Sequence, residues 1–119
     1  MFETSQMVAA ATPVINGMNG LEKKNIVDYY NLKKAALVLR ALNHKLRQQI
    51  FELIADKDKI TVTEIYVQLR LEQSVASQHL AILRKAGIVS TERDGKFIYY
   101  KVNYKRVEEL NAFVHALVG

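Results

Sequence analysis

The stretch Gln73–Val102 constrains this chain more than any other. On a helix, Ala76, Leu80 and Leu83 fall at i, i+4 and i+7 and form a core-facing stripe. Ser74, Ser77, Gln78, Ala81 and Arg84 fall on the opposite side. Ala86-Gly87 then ends the helix, with Gly87 expected in the left-handed position that closes it. Two strand-like runs follow, Ile88–Arg93 and Lys96–Val102, with Asp94-Gly95 between them. Asp-Gly in that setting is the strongest short hairpin signal. In the second run Ile98, Tyr100 and Val102 alternate onto one face.

The rest of the chain reads as helices. Leu21–Tyr30 suggests a lead-in helix, and Asn31 is expected to cap the next one. In Ala35–Leu42 seven of eight residues are apolar, Arg40 being the exception. That is too little polar surface for a helix on the outside of a monomer, so it is central or paired with another chain. Asn43-His44 marks a corner, and Leu46, Ile50, Leu53 and Ile54 define the next helix. Asp56–Lys59 reads as a solvated turn, Ile60–Val62 as a short strand, and Thr63 as the cap of a short helix carrying Ile65 and Leu69. The last helix spans Tyr104–Val118, with Val107, Leu110, Val114 and Leu117 in one stripe that Phe113 widens. Residues 1–20 carry one charge, Glu3, and are expected to be a flexible arm on a single domain spanning 21–119.

Composition sharpens this. The chain has 119 residues, a formal charge of +5 and no cysteine. Disulfides, thiolate metal sites and cysteine nucleophiles are excluded. No uninterrupted apolar run is longer than that of Ala35–Leu39, far short of the roughly 20 residues that span a bilayer. The first basic residue is Lys23, so the N-terminus does not read as a signal peptide. A soluble cytoplasmic protein without membrane contact is expected. Seven Lys or Arg stand against two Asp or Glu between Gln73 and Arg106, which asks for a polyanionic partner.

Small polar side chains on one helix face can approach base edges closely. Gln pairs bidentately with adenine, Ser bonds to either base, and Arg and Lys reach phosphates or guanine. Two bland alternatives stand beside this: a plain solvated helix face, and a hairpin that only completes the core. No Gly-rich phosphate loop, triad or metal set marks an enzyme. The apolar surface of the first and last core helices suggests a homodimer through Leu32, Ala35, Ala36 and Leu39 with Leu110, Phe113, Val114 and Leu117. Coverage by the N-terminal arm is the alternative.

The run Ser77-Gln78-His79-Leu80-Ala81-Ile82-Leu83-Arg84-Lys85-Ala86-Gly87-Ile88-Val89 resembles the signature of the ArsR/SmtB family of winged-helix repressors. Arg40-Ala41-Leu42, Arg47 and Ile50 upstream, and Gly95-Lys96 and Tyr99-Tyr100 downstream, add to the likeness. The resemblance implies a mainly α fold with a small β-hairpin, a winged helix-turn-helix dimerised through its first and last helices. It implies a regulator bound to an inverted-repeat operator in double-stranded DNA until a signal releases it. On that basis Ser74, Val75, Ser77 and Gln78 are expected in the major groove, and Arg84, Lys85, Arg93 and Lys96 on phosphates. His79 is expected in a structural or backbone-contacting role. The alternative is a winged-helix module that binds a protein without reading DNA.

Departures from the family matter too. Where metal-sensing members place a Cys-Val-Cys-Asp pattern, this chain has Thr61-Val62-Thr63-Glu64. The positions of a zinc site between the last helices fall on Tyr104, Arg106 and Leu117. No metal or other cofactor is therefore expected, and the effector, a small molecule or a protein, is not a thiol-directed one. His115, with no acid or histidine one turn away, reads as a packed or interfacial residue. Arg70 stands where a turn glycine is expected, and Glu72 where a serine cap is expected.

Overall fold

The computed structural model describes residues 26–119. The expected arm, and the start of the lead-in helix, lie outside them. Within them the chain forms α1 (Tyr29–Leu42), α2 (Lys45–Lys57), β1 (Ile60–Thr61), α3 (Val62–Leu69), α4 (Gln73–Lys85), β2 (Val89–Asp94), β3 (Phe97–Val102) and α5 (Tyr104–Val118). The three strands make one antiparallel sheet in the order β1-β3-β2. The expected hairpin is there, and β1 adds a third strand to it through Ile60↔Tyr100 and Thr61↔Tyr99.

The core joins α2, α3 and α4 to the sheet. Ile50 and Ile54 come from α2, Ile65 from α3, Leu80 and Leu83 from α4, and Ile60, Ile88, Val89 and Val102 from the sheet and its entry. Ala76, Leu80 and Leu83 are fully buried, as the helical stripe requires. Tyr100 and Val102 face the core, but Ile98 on the same side of β3 is exposed because it lies beyond the core's edge.

Several local expectations need correction. Ile26–Asp28 are not helical, and Tyr29-Tyr30 belong to α1. Its cap is Asp28 rather than Asn31: the Asp28 carboxylate accepts from the Asn31 amide at 3.1 Å and from its side chain at 2.7 Å. Those two bonds hold the Asp28 carboxyl below its usual range. Lys57 still belongs to α2, so the solvated turn is shorter than Asp56–Lys59. Thr61, not Thr63, caps α3, and Val62 is already helical. Thr61 wins because Glu64 then stands three residues on and closes a capping box. In the wing, Asp94 pairs with Phe97, so the loop is Gly95-Lys96, one residue later than expected. Gly95 takes φ 66° at the first loop position, which is where a Gly-X hairpin loop needs it.

The end of α4 is a Schellman motif. Ile88 donates to Leu83 O at 3.0 Å and Gly87 to Arg84 O at 2.9 Å, with Gly87 at φ 79°. Asn103 ties this end to α5. Its side-chain amide donates to Gly87 O at 3.0 Å, and its carbonyl oxygen Oδ1 accepts from the Arg106 amide at 3.3 Å as the α5 cap. A Cβ on Gly87 would meet Arg106 Nε at 3.1 Å. That side-chain end can move aside, so the backbone conformation decides. Gly87→Ala is expected to cost about 1 kcal/mol, the left-handed penalty for an L-residue, read as a lower urea midpoint with unchanged slope.

Helices α1 and α5 keep much apolar surface uncovered. Ala41 is the one buried residue of α1, and α5 has none. Leu32 is 55% exposed and Leu117 58%. Ala35, Ala36, Leu39, Leu110, Phe113 and Val114 are half-buried, with Leu110 also packed on the core.

Candidate nucleic-acid interface

Helix α3, the turn Arg70-Leu71-Glu72 and helix α4 form a helix-turn-helix. Arg70 takes φ 57° and ψ 48° and closes α3 through its own amide on Val67 O and the Leu71 amide on Tyr66 O. Arg70 thus takes left-handed backbone at the position where the resemblance expects a turn glycine. Glu72 is the cap residue of α4 and makes no side-chain cap bond. The first turn of α4 thus keeps amides without a side-chain partner from its cap, and Gln73 and Ser74 there are exposed.

The outward side of α4 is made of Ser74, Ser77, Gln78 and Ala81, all exposed, with Val75 half-buried beside them. Arg84 and Lys85 are exposed in the last turn, where their charge also suits the negative end of the helix dipole. His79 lies at the margin, half-buried, with Nδ1 at 3.2 Å from Arg47 Nη1. A guanidinium only donates, so Nδ1 accepts and the imidazole is the neutral Nε2–H tautomer. Burial, then the charges of His44 and Arg47, hold its pKa below the ordinary value.

The wing sorts its charges. Glu92 accepts from Lys101 Nζ at 3.0 Å, and Lys59 lies 4.0 Å from Glu92 and 3.8 Å from Asp94. The Lys101 hydrogen bond and charge, then Lys59, keep the Glu92 carboxyl below its usual range. The two acids of the wing are thus matched by lysines, while Arg93 and Lys96 enter no ion pair among the described residues. Lys96 Nζ sits 5.6 Å from the Phe97 ring centre, and Arg93 Nη1 donates to Gly95 O at 3.3 Å. Both cations therefore stand at the wing tip, on exposed positions, as the sequence placed them.

Sequence reasoning missed the internal half of this arrangement. Arg47, one of the residues carrying the family likeness, is 7% exposed and bonded to the end of α1. No periodicity signals a buried cation on a helix that is otherwise amphipathic. The stretch Thr61–Glu64 is a capping box, with Glu64 Oε1 accepting from the Thr61 amide at 3.0 Å and its hydroxyl at 3.1 Å. Among the described residues no group of three His, Cys, Asp or Glu is placed to hold a metal ion. None of the described helices is long and apolar enough to cross a membrane. His115 is exposed on α5 rather than packed within this chain.

Residues 44–91 match the family model described as "Bacterial regulatory protein, arsR family". The transcriptional activator HlyU of Vibrio cholerae is 33% identical over 73% of this chain and 80% of its own length. Its solved structure matches with a TM-score of 0.58 over 94% of that chain. The transcriptional repressor PagR of Bacillus anthracis matches with a TM-score of 0.59 at 31% identity, over 73% of this chain and 99% of that one. An ArsR-like regulator from Rhodococcus shares the fold, with a TM-score of 0.66 at 17% identity over 73% of this chain and 81% of that one.

Proposed function

Because the chain belongs to the arsR family of bacterial regulatory proteins, we propose that it is a homodimeric repressor, released from an inverted-repeat operator by an unidentified non-thiol signal. It is a DNA-binding transcriptional regulator of winged-helix fold and not an enzyme. The observation that carries the finer reading is the exposed small-polar face of α4 beside cations, on its last turn and on the wing, that enter no ion pair among the described residues. Ser74, Val75, Ser77 and Gln78 enter the major groove, with Val75 against a thymine methyl. Arg84, Lys85, Arg93 and Lys96 contact phosphates, and His79 keeps its Nε2–H for the backbone. Two copies of α4 about 34 Å apart read successive turns of the duplex. The apolar faces of α1 and α5 support the pairing. The likeness to PagR supports the negative sign of control, and a reporter on the chain's own promoter tests it: higher expression with the protein present overturns repression.

Fragments selected from genomic DNA supply the test ligand. Gln78→Ala is expected to lose about 1–3 kcal/mol of discrimination at one base position, with little change on random DNA. Lys96→Ala is expected to weaken all sequences alike and to flatten the salt slope by about 0.9 per protomer. Equal losses on selected and random DNA for Gln78→Ala would remove it from the readout. Failure of the wild-type chain to retain any DNA at low salt would instead favour a protein-binding module.

A further inference from the structure

Three nitrogen-bearing side chains meet where α1, α2 and α4 come together. Arg47 of α2 donates through Nε to Ala41 O at 2.7 Å and through Nη2 to Arg40 O at 3.0 Å, both on the last turn of α1. Its remaining Nη1 reaches His79 Nδ1 on α4 at 3.2 Å. His44, the α2 cap, stands with its ring centre 5.0 Å from that of His79. Its Nδ1 accepts the amides of Leu46 at 3.2 Å and Arg47 at 3.4 Å. In both rings Nδ1 is placed as the acceptor.

We propose that Arg47 is a positioning residue for the DNA-reading helix, clasping His79 to the end of α1, and that acid opens this clasp and releases DNA. The inference rests on the DNA-binding reading above. Protonation of His79 removes the acceptor and sets a cation against the buried guanidinium. The groups that bear on His79 are Arg47 from α2 and His44 from its cap; α1 contributes the carbonyls of Ala41 and Arg40, and among the described residues no carboxylate compensates.

The sign follows from the neutral form being preferred in the docked state. The clasp is complete above the ordinary imidazole pKa of about 6.5 and weakens as pH falls below it. A second effect opposes this, since an added positive charge near phosphate strengthens binding. Here that charge would lie against Arg47, half-buried, and loss of docking dominates. Linkage caps the effect at about a tenfold loss of affinity per pH unit per protomer.

The test measures binding of the wild-type chain to its selected DNA fragment by fluorescence anisotropy, at fixed ionic strength, between about pH 8 and about pH 5.5. Affinity is expected to fall toward acid. His79→Asn, whose Oδ1 replaces Nδ1 and does not titrate, is expected to show a flat profile whatever its affinity at pH 8. A wild-type profile that is flat or tightens in acid overturns the proposal, as does an unchanged slope in His79→Asn. Amide hydrogen exchange of the DNA-free wild-type chain, corrected for intrinsic rates, gives an independent reading. Protection in α4 is expected to drop in acid relative to α2 and α3, and equal retention overturns the clasp. This arm needs no substitution and no DNA, so it decides the clasp even if DNA binding itself fails.

Discussion

Arg47→Met is expected to lower folding stability by about 3 kcal/mol, more than any surface change in this chain. Hydrogen bonds from a charged donor contribute about 1.5–3 kcal/mol each, and Arg47 makes three at 2.7, 3.0 and 3.2 Å. Their sum overstates the loss for two reasons. The Arg40 carbonyl also accepts the Asn43 amide at 3.2 Å, so it keeps a partner. Methionine also avoids the desolvation that a guanidinium at 7% exposure must bear. The carbonyl of Ala41, the one buried residue of α1, has no such second partner. Urea unfolding measures the balance, and a loss below about 1 kcal/mol would mean that desolvation cancels the bonds.

Charging the apolar helix faces is expected to have the largest effect on DNA. Leu32→Glu on α1 combined with Leu117→Glu on α5 alters side chains more than half exposed in the single chain. Its fold is therefore retained, as far-ultraviolet circular dichroism should report. Sedimentation is expected to show a monomer. Operator affinity should fall by about 10²–10⁴, because the second half-site no longer benefits from the effective concentration that pairing supplies. Random DNA, held by each wing and helix separately, should lose far less. A double variant that still sediments as a dimer would move the pairing surface elsewhere.

The sequence made the reading face legible because it depends on short-range rules. Ala76, Leu80 and Leu83 share a helix face at any tertiary arrangement, and Gly87 can close the helix by itself. The left-handed turn at Arg70 was legible only through the family resemblance, which expects a glycine there. Near-degenerate local choices were not. Asp28 and Asn31 can each cap a helix, and Thr61 and Thr63 differ only in which has Glu64 three residues on. The hairpin loop slipped by one because the pairing Val89↔Val102, where two core side chains meet, sets the register. The clasp at Arg47 was invisible because its partners stand six, seven and thirty-two positions away and meet only after three helices pack.

One feature of the sheet bears on how the protein behaves in a crowd. β3 is central, so β2 presents an open flank along Val89–Asp94. An open flank invites another copy to add a strand, and then another, without end. Here the outer half of that flank reads Glu92, Arg93 and Asp94, and strand addition would crowd these charges against a second set. Growth by strand stacking is thereby discouraged at the tip of the wing. Copies concentrated on one stretch of chromosome can then lie side by side as discrete particles instead of fusing into fibres.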